Sequence, residues 1–143
     1  MTDFDLSQFL PYQLAAAAQR VSREFAETYR RDFGITIPEW RVLAHLAQEG
    51  AVSVRDIHFR VDMDKSKVSR AASRLEASGH VTKLANPDDR RLVALSLTPQ
   101  GRALMDKLIP VALNYQQALV ERLGPKAVGL TEGLNTILRE DGA

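Results

Sequence analysis

Cysteine is missing from this chain altogether. Its absence excludes a disulfide framework, a thiolate metal site and a thiol-based redox sensor. Long apolar runs are missing too: no stretch reaches the roughly 18 apolar residues that a membrane-spanning helix needs. Met1 to Leu10 carries Asp3 and Asp5 and no basic residue, unlike a signal peptide, so a cytoplasmic protein with no membrane partner is expected. There is no glycine-rich phosphate loop, and no histidine stands at a catalytic spacing from a carboxylate. His45, His58 and His80 have no mutual spacing that suggests a metal site. No cofactor, no metal and no catalytic residue is expected, and the chain reads as a non-enzyme. Charge of one sign is also scarce, with a net of +1.

What is present is a helical pattern. The chain has 143 residues, 45% of them apolar, enough for a packed core in one compact domain with helical extensions. Leu10, Leu14, Ala18, Val21, Phe25 and Tyr29 recur at helical spacing, so residues 6–33 read as one long helix ending at Gly34. A second helix opens at Thr36, with Glu39 placed to complete a capping box and Pro38 tolerated in the first turn. Its shared face is Trp40, Leu43, Ala44 and Ala47, and Glu49-Gly50 ends it. Ser53 opens a short helix with Ile57 and Val61 on its inner side. Asp62 and Met63 make a turn, and Asp64 is placed to cap a helix over 65–78 that stops at Gly79. Two short helices joined by a tight turn fit a helix-turn-helix.

The period then changes. His80 to Ala85 and Leu92 to Leu97 read as strands around the turn Asn86-Pro87-Asp88-Asp89, a hairpin with a charged tip. Thr98 caps a following helix with Pro99 at its first position, running to about Leu123; Pro110 inside it predicts a kink or break. Gly124-Pro125 is a turn before a last helix over 126–139, which contains Gly129 and Gly133. The end helices carry more apolar surface than the small centre can cover, and a second copy of the chain would bury it.

The charges are unevenly placed. Residues 52–91 hold nine Lys/Arg against six Asp/Glu, and the remainder ten against twelve. The basic centre alone would also describe a solvated face. The helix over 65–78 is more informative. At 100° per residue, Val68, Ala71, Ala72 and Leu75 share an arc of about 100°. The opposite arc holds Ser66, Lys67, Ser69, Arg70, Ser73 and Arg74, with Lys65 at its start and no acid. Such a face fits the major groove of a DNA duplex. Arg70 could make paired hydrogen bonds to guanine, and Ser66 and Ser69 are short enough for close approach. Lys67 and Arg74 suit phosphate and would set register. At the hairpin tip Asp89, Arg90 and Arg91 add cations for a narrow minor groove, with an acid to hold an arginine in place.

At these residues the chain resembles the MarR family (multiple antibiotic resistance regulator type). The stretch DKSKVSRAASRLEASGHVTKLANPDDRRLVALSLTPQGRAL, residues 64–104, carries the resemblance. SKVSRAASRLEASG is similar to the family's recognition helix and its glycine stop. Asp89-Arg90-Arg91 matches its Asp-x-Arg wing, and Leu97-Thr98 followed by Gly101 matches its Leu-Thr-x-x-Gly entry into the next helix. The resemblance implies a mainly α fold with a small β-hairpin wing, a winged helix-turn-helix with N- and C-terminal dimerisation helices. It divides the chain into an N-terminal dimerisation helix (1–35), a DNA-binding lobe (36–98) and C-terminal dimerisation helices (99–143). It implies a homodimer gripping double-stranded DNA at a near-palindromic operator, with repression the commoner role. Arg91 becomes the minor-groove arginine and Asp89 its support. Gly129 and Gly133 depart from the family's usual last helix.

Family members often release DNA when a small aromatic or acidic effector binds between dimer helices and lobe. Tyr12, Trp40 and Tyr115 are the candidate effector contacts, although an aromatic at helical spacing is more often core. A competing reading is a winged-helix module that binds protein or RNA without operator specificity; the acid-free face argues against it. Replacing Arg91 by Ala is expected to weaken operator binding by about 1–3 kcal/mol, the scale of a good specific contact. Titration of a labelled operator duplex reads this directly, and unchanged affinity would refute the wing assignment.

Overall fold

The computed structural model describes residues 3–85, 88 and 93–139. The first long helix, α1, spans Leu10–Phe33 and not the whole of residues 6–33. Leu6–Gln8 forms a separate 3-10 turn capped by Asp5, and Phe9 between the two is extended. The cause is Pro11. A helix from residue 6 would need its N–H to reach the Ser7 carbonyl, and proline has none. The Gln13 side-chain amide donates to that carbonyl instead, at 3.0 Å. At the other end Gly34 closes α1 in the left-handed conformation at φ 70°, its N–H bonded to the Arg30 carbonyl.

The second helix, α2 (Ile37–Glu49), starts as its sequence requires. Thr36 Oγ1 accepts from the Glu39 N–H, and the Glu39 carboxylate accepts from the Thr36 N–H and hydroxyl. Its buried stripe is Val42, Leu43 and Leu46, rotated from the expected face, so that Trp40, Ala44 and Ala47 flank the core. Trp40 packs edge-on against Phe25 at 5.1 Å between ring centroids and stacks on Tyr29 at 5.9 Å. Burial pushes the Tyr29 phenol up to about 12, with the Arg41 and Arg30 charges pulling the other way.

After α2 and the two residues Gly50 and Ala51, Val52–Ser53 form a short strand, β1, which sequence periodicity does not reveal. Ser53 then caps α3 (Val54–Arg60) by accepting from the Asp56 N–H at 3.1 Å. The turn to α4 (Lys65–Ala77) passes through Asp62 at φ 56°, a conformation short polar residues tolerate. Val68, Ala71, Ala72 and Leu75 are the buried residues of α4, the arc expected from its spacing. They join Leu46, Ile57, Val81, Leu95, Met105 and Leu108 in one core.

β2 (Val81–Ala85) and β3 (Val93–Leu97) are antiparallel, with Val81 opposite Leu97 and Ala85 opposite Val93. β1 adds to the far edge of β3, Val52 opposite Leu95, so the hairpin becomes a three-stranded sheet of order β1-β3-β2. Along β2 burial falls from Val81, inside, to Ala85, exposed: the strand leaves the core as it approaches the hairpin tip.

The last two helices are α5 (Pro99–Leu123) and α6 (Ala127–Leu138), joined by a 3-10 turn at Gly124–Lys126. Pro110 does not break α5, which continues as helix straight through it. The chain does divide into two compact units beside this proline, between Leu108 and Ile109. Gly129 and Gly133 do not interrupt α6, and a Cβ at either would meet no other atom. No described helix is long and apolar enough to cross a membrane.

One junction orders the lobe. α4 ends in paired backbone bonds, His80 N–H to the Leu75 carbonyl and Gly79 N–H to the Glu76 carbonyl, with Gly79 at φ 83°. Thr98 donates from its hydroxyl to the Gly79 carbonyl at 2.6 Å and accepts the Gly101 N–H at 3.0 Å. Gly101 is buried against the His80 backbone, and a Cβ there would overlap the His80 carbonyl oxygen. The Leu-Thr-x-x-Gly pattern thus has a steric meaning: it docks the start of α5 on the end of α4. Gly101→Ala is expected to destabilise the fold by about 1–3 kcal/mol through overpacking. Urea unfolding reads the change, and a midpoint equal to the parent's would refute the close-approach role.

Candidate nucleic-acid interface

α4 is seated by its apolar arc on α2 and α3. That arc consumes one side of the helix, so the other side must face solvent. Lys65, Ser66, Lys67, Ser69, Arg70, Ser73 and Arg74 are all exposed. Lys65, Lys67, Arg70 and Arg74 form no ion pair with a described residue. The one acid in the helix, Glu76, lies two residues beyond Arg74 and meets Lys83 of β2 at 3.6 Å. The outward surface of α4 is therefore cationic from its first residue to Arg74.

Its first turn runs against the usual helix preference. A helix N-terminus carries partial positive charge and favours acids there, each worth about 0.3–1 kcal/mol. α4 has none and places Lys65 and Lys67 in that position. Asp64 occupies the cap position, but its carboxylate accepts no cap hydrogen bond, contrary to the sequence expectation. The helix start thus carries two exposed ammonium groups, Lys65 and Lys67, beside the exposed Asp64 carboxylate.

The remaining site residues fall elsewhere. Asp89, Arg90 and Arg91 lie outside the described residues. Of the effector candidates, Trp40 is engaged with Phe25 and Tyr29. Tyr12 is 45% exposed on α1. Tyr115 belongs to the second compact unit, where it lines a small depression with Ala118, Leu119 and Arg122.

Sequence spacing did not point to two hollows in the first unit. One, of about 400 Å³, lies between Ala18, Gln19, Ser22 and Arg23 of α1 and Ile37 and Arg41 of α2. The other, of about 450 Å³, is lined by Ile37, Pro38, Arg41, Asp62, Met63, Asp64 and Lys67. Only the seven-residue spacing of Tyr12 and Gln19, and the four-residue step to Arg23, hinted at a polar stripe on α1.

The chain is similar to several known proteins. The MarR family model matches residues 33–92. The transcriptional repressor MdtR of Bacillus subtilis is 31% identical over 138 residues, covering 94% of this chain and 84% of that protein. The regulator TtmR of Methylorubrum extorquens is 34% identical over 110 residues. That match takes in 75% of this chain but only 56% of TtmR, so the chain spans little more than half of that relative. Among solved structures, Bordetella bronchiseptica BpsR, studied for regulation of its DNA binding by 6-hydroxynicotinic acid, superposes with a TM-score of 0.86 at 29% identity. The superposition covers 98% of this chain and all of the other.

The expectation that Lys67 meets phosphate and Arg70 meets a base edge divides the exposed face into two kinds of contact that can be tested separately. Lys67→Ala is expected to weaken binding to all duplex sequences alike and to reduce the slope of log affinity against log salt by about one. Arg70→Ala is expected to cost about 1–3 kcal/mol on the preferred sequence and to relax discrimination at one base pair. Competition titrations at several salt concentrations distinguish them, and identical behaviour of both variants would contradict the division.

Proposed function

The chain belongs to the MarR family and is a DNA-binding transcription regulator, and from that premise we propose that it acts as a homodimeric repressor on a near-palindromic operator. The observation that carries this reading is the exposed face of α4, cationic and free of acid from Lys65 to Arg74. In the proposed complex α4 lies in the major groove. Arg70 reads base edges, Ser66 and Ser69 allow close approach, and Lys65, Lys67 and Arg74 neutralise phosphate. Asp89, Arg90 and Arg91, outside the described residues, are proposed as minor-groove contacts, with Arg91 the arginine that enters the groove. The protein works in the cytoplasm and catalyses no reaction.

Exposed apolar groups support dimerisation through residues 1–35 and 99–143. Phe4, Leu6, Phe9 and Leu10 are exposed at one end of the chain, and Val128, Leu130, Ile137 and Leu138 at the other. Residues of this kind, in such number, favour burial against a second copy. α6 is almost wholly exposed in the single chain, with Ala127 its only buried residue.

A small acidic aromatic effector is proposed for the hollow between α1 and α2, where Arg23 and Arg41 offer two guanidinium groups. The BpsR structure, with its aromatic carboxylate regulator, supports that chemistry. Of the aromatic candidates, Tyr12 and Trp40 belong to the same compact unit as this hollow and are proposed as further effector contacts, although neither is in its lining. An effector that prefers the DNA-free form lowers DNA affinity by its differential affinity for the two forms.

Selection of bound fragments from the source genome, followed by titration of the recovered duplex with RNA as competitor, tests the function. Salt-sensitive binding of a two-fold-symmetric duplex, with RNA a poor competitor, is expected. Equal competition by RNA, or no duplex recovered above background, would favour an RNA- or protein-binding module instead.

A further inference from the structure

The second hollow, beneath the start of α4, has a composition that DNA binding does not explain. Arg41 and Lys67 stand on its wall with Asp62 and Asp64. None of the four makes an ion pair with a described residue. Asp64 stands where a side chain usually closes the helix start, and its carboxylate does not do so. The rest of the lining, Ile37, Pro38 and Met63, is apolar and half-buried. A volume of about 450 Å³ lies within the range of about 300–1,000 Å³ common for small-molecule sites.

Two cations and two carboxylates that form no ion pair among the described residues, together with an apolar wall, complement one kind of molecule. It carries an ammonium group for Asp62 and Asp64, a carboxylate for Arg41 and Lys67, and an apolar body for Met63, Ile37 and Pro38. We propose that this hollow binds a free α-amino acid with an apolar side chain, and that binding there opposes DNA binding by occupying Lys67. A purely anionic ligand would meet Asp62 and Asp64 unfavourably, and a purely cationic one would meet Arg41 and Lys67. The site differs from the hollow between α1 and α2, which has Arg23 and no carboxylate in its lining; Arg41 alone among the charged residues borders both.

The consequence for regulation follows from linkage. A ligand carboxylate held by the Lys67 ammonium removes that group from phosphate, so ligand and duplex compete for one side chain. Each then weakens the other by the same factor. The release of duplex rests on the DNA-binding role proposed above; the binding of the amino acid does not.

The test uses the full chain and the free amino acids valine, leucine, isoleucine, methionine and phenylalanine, each beside its N-acetyl and carboxamide derivatives. At least one free amino acid is expected to raise the melting temperature and to weaken binding of the selected duplex by about fivefold or more. Its two blocked derivatives are expected to do neither. Asp62→Asn and Asp64→Asn, each shown by its unliganded melting curve to fold, are expected to lose the response, and Lys107→Ala, an exposed lysine in the lining of neither hollow, to keep it. Three results would overturn the proposal: no free amino acid shifts the melting curve, the blocked derivatives act equally, or the response survives both aspartate variants. If no duplex is bound at all, the melting shift still decides the site on its own.

Discussion

Everything at the proposed interface depends on how α4 is seated. Val68, Ala71, Ala72 and Leu75 are each at most 1% exposed, locked against α2 and α3. Burying such side chains contributes roughly 25 cal/mol per Å² of apolar surface removed from water. With one arc held this firmly, the helix cannot rotate about its axis without bringing a serine or a cation into the core. The cationic face is therefore aimed by packing. Two alanines in the buried arc also let α4 lie close to its neighbours, which brings the helix backbone, and not only its side chains, near the lobe's centre.

The junction at the other end of α4 holds it in the remaining direction. The Gly79 turn, the Thr98 hydroxyl and the close approach of Gly101 to the His80 backbone tie the end of α4 to the start of α5. β2 leaves from the same junction and carries Lys83 back to Glu76. That contact is exposed and contributes little to stability, on the order of 0–1 kcal/mol. Its more direct effect is on charge: it covers the only acid of α4. The helix gives up some stability at its start, with two lysines in place of acids and an uncapped Asp64, where a groove-facing surface needs positive charge.

Much of this was legible in the sequence, for identifiable reasons. The buried arc of α4 repeats at helical spacing over several turns, so its face could be read without coordinates. Thr36 and Glu39 formed the capping box their types and spacing require. Other features were not legible. β1 has two residues and no periodicity, and it exists because Val52 finds Leu95 far along the chain. Pro11 was visible, but the apolar spacing continued through it, and only its missing N–H moved the helix start to Leu10. Pro110 suggested a break, yet α5 continues. The hollow under α4 depends on Arg41 being carried by α2 to the turn that holds Asp62 and Asp64, a tertiary meeting that no local pattern encodes.

Differential acetylation of lysines in the full chain, with and without the selected duplex, tests the central claim most directly. Lys65 and Lys67 lie on the α4 face, whereas Lys107 and Lys126 lie on other helices and serve as internal references. Slowed modification of Lys65 and Lys67 in the complex, with Lys107 and Lys126 unchanged, is the predicted result. Equal modification of Lys65 and Lys67 in free and duplex-bound protein would contradict the assignment of α4 to the groove.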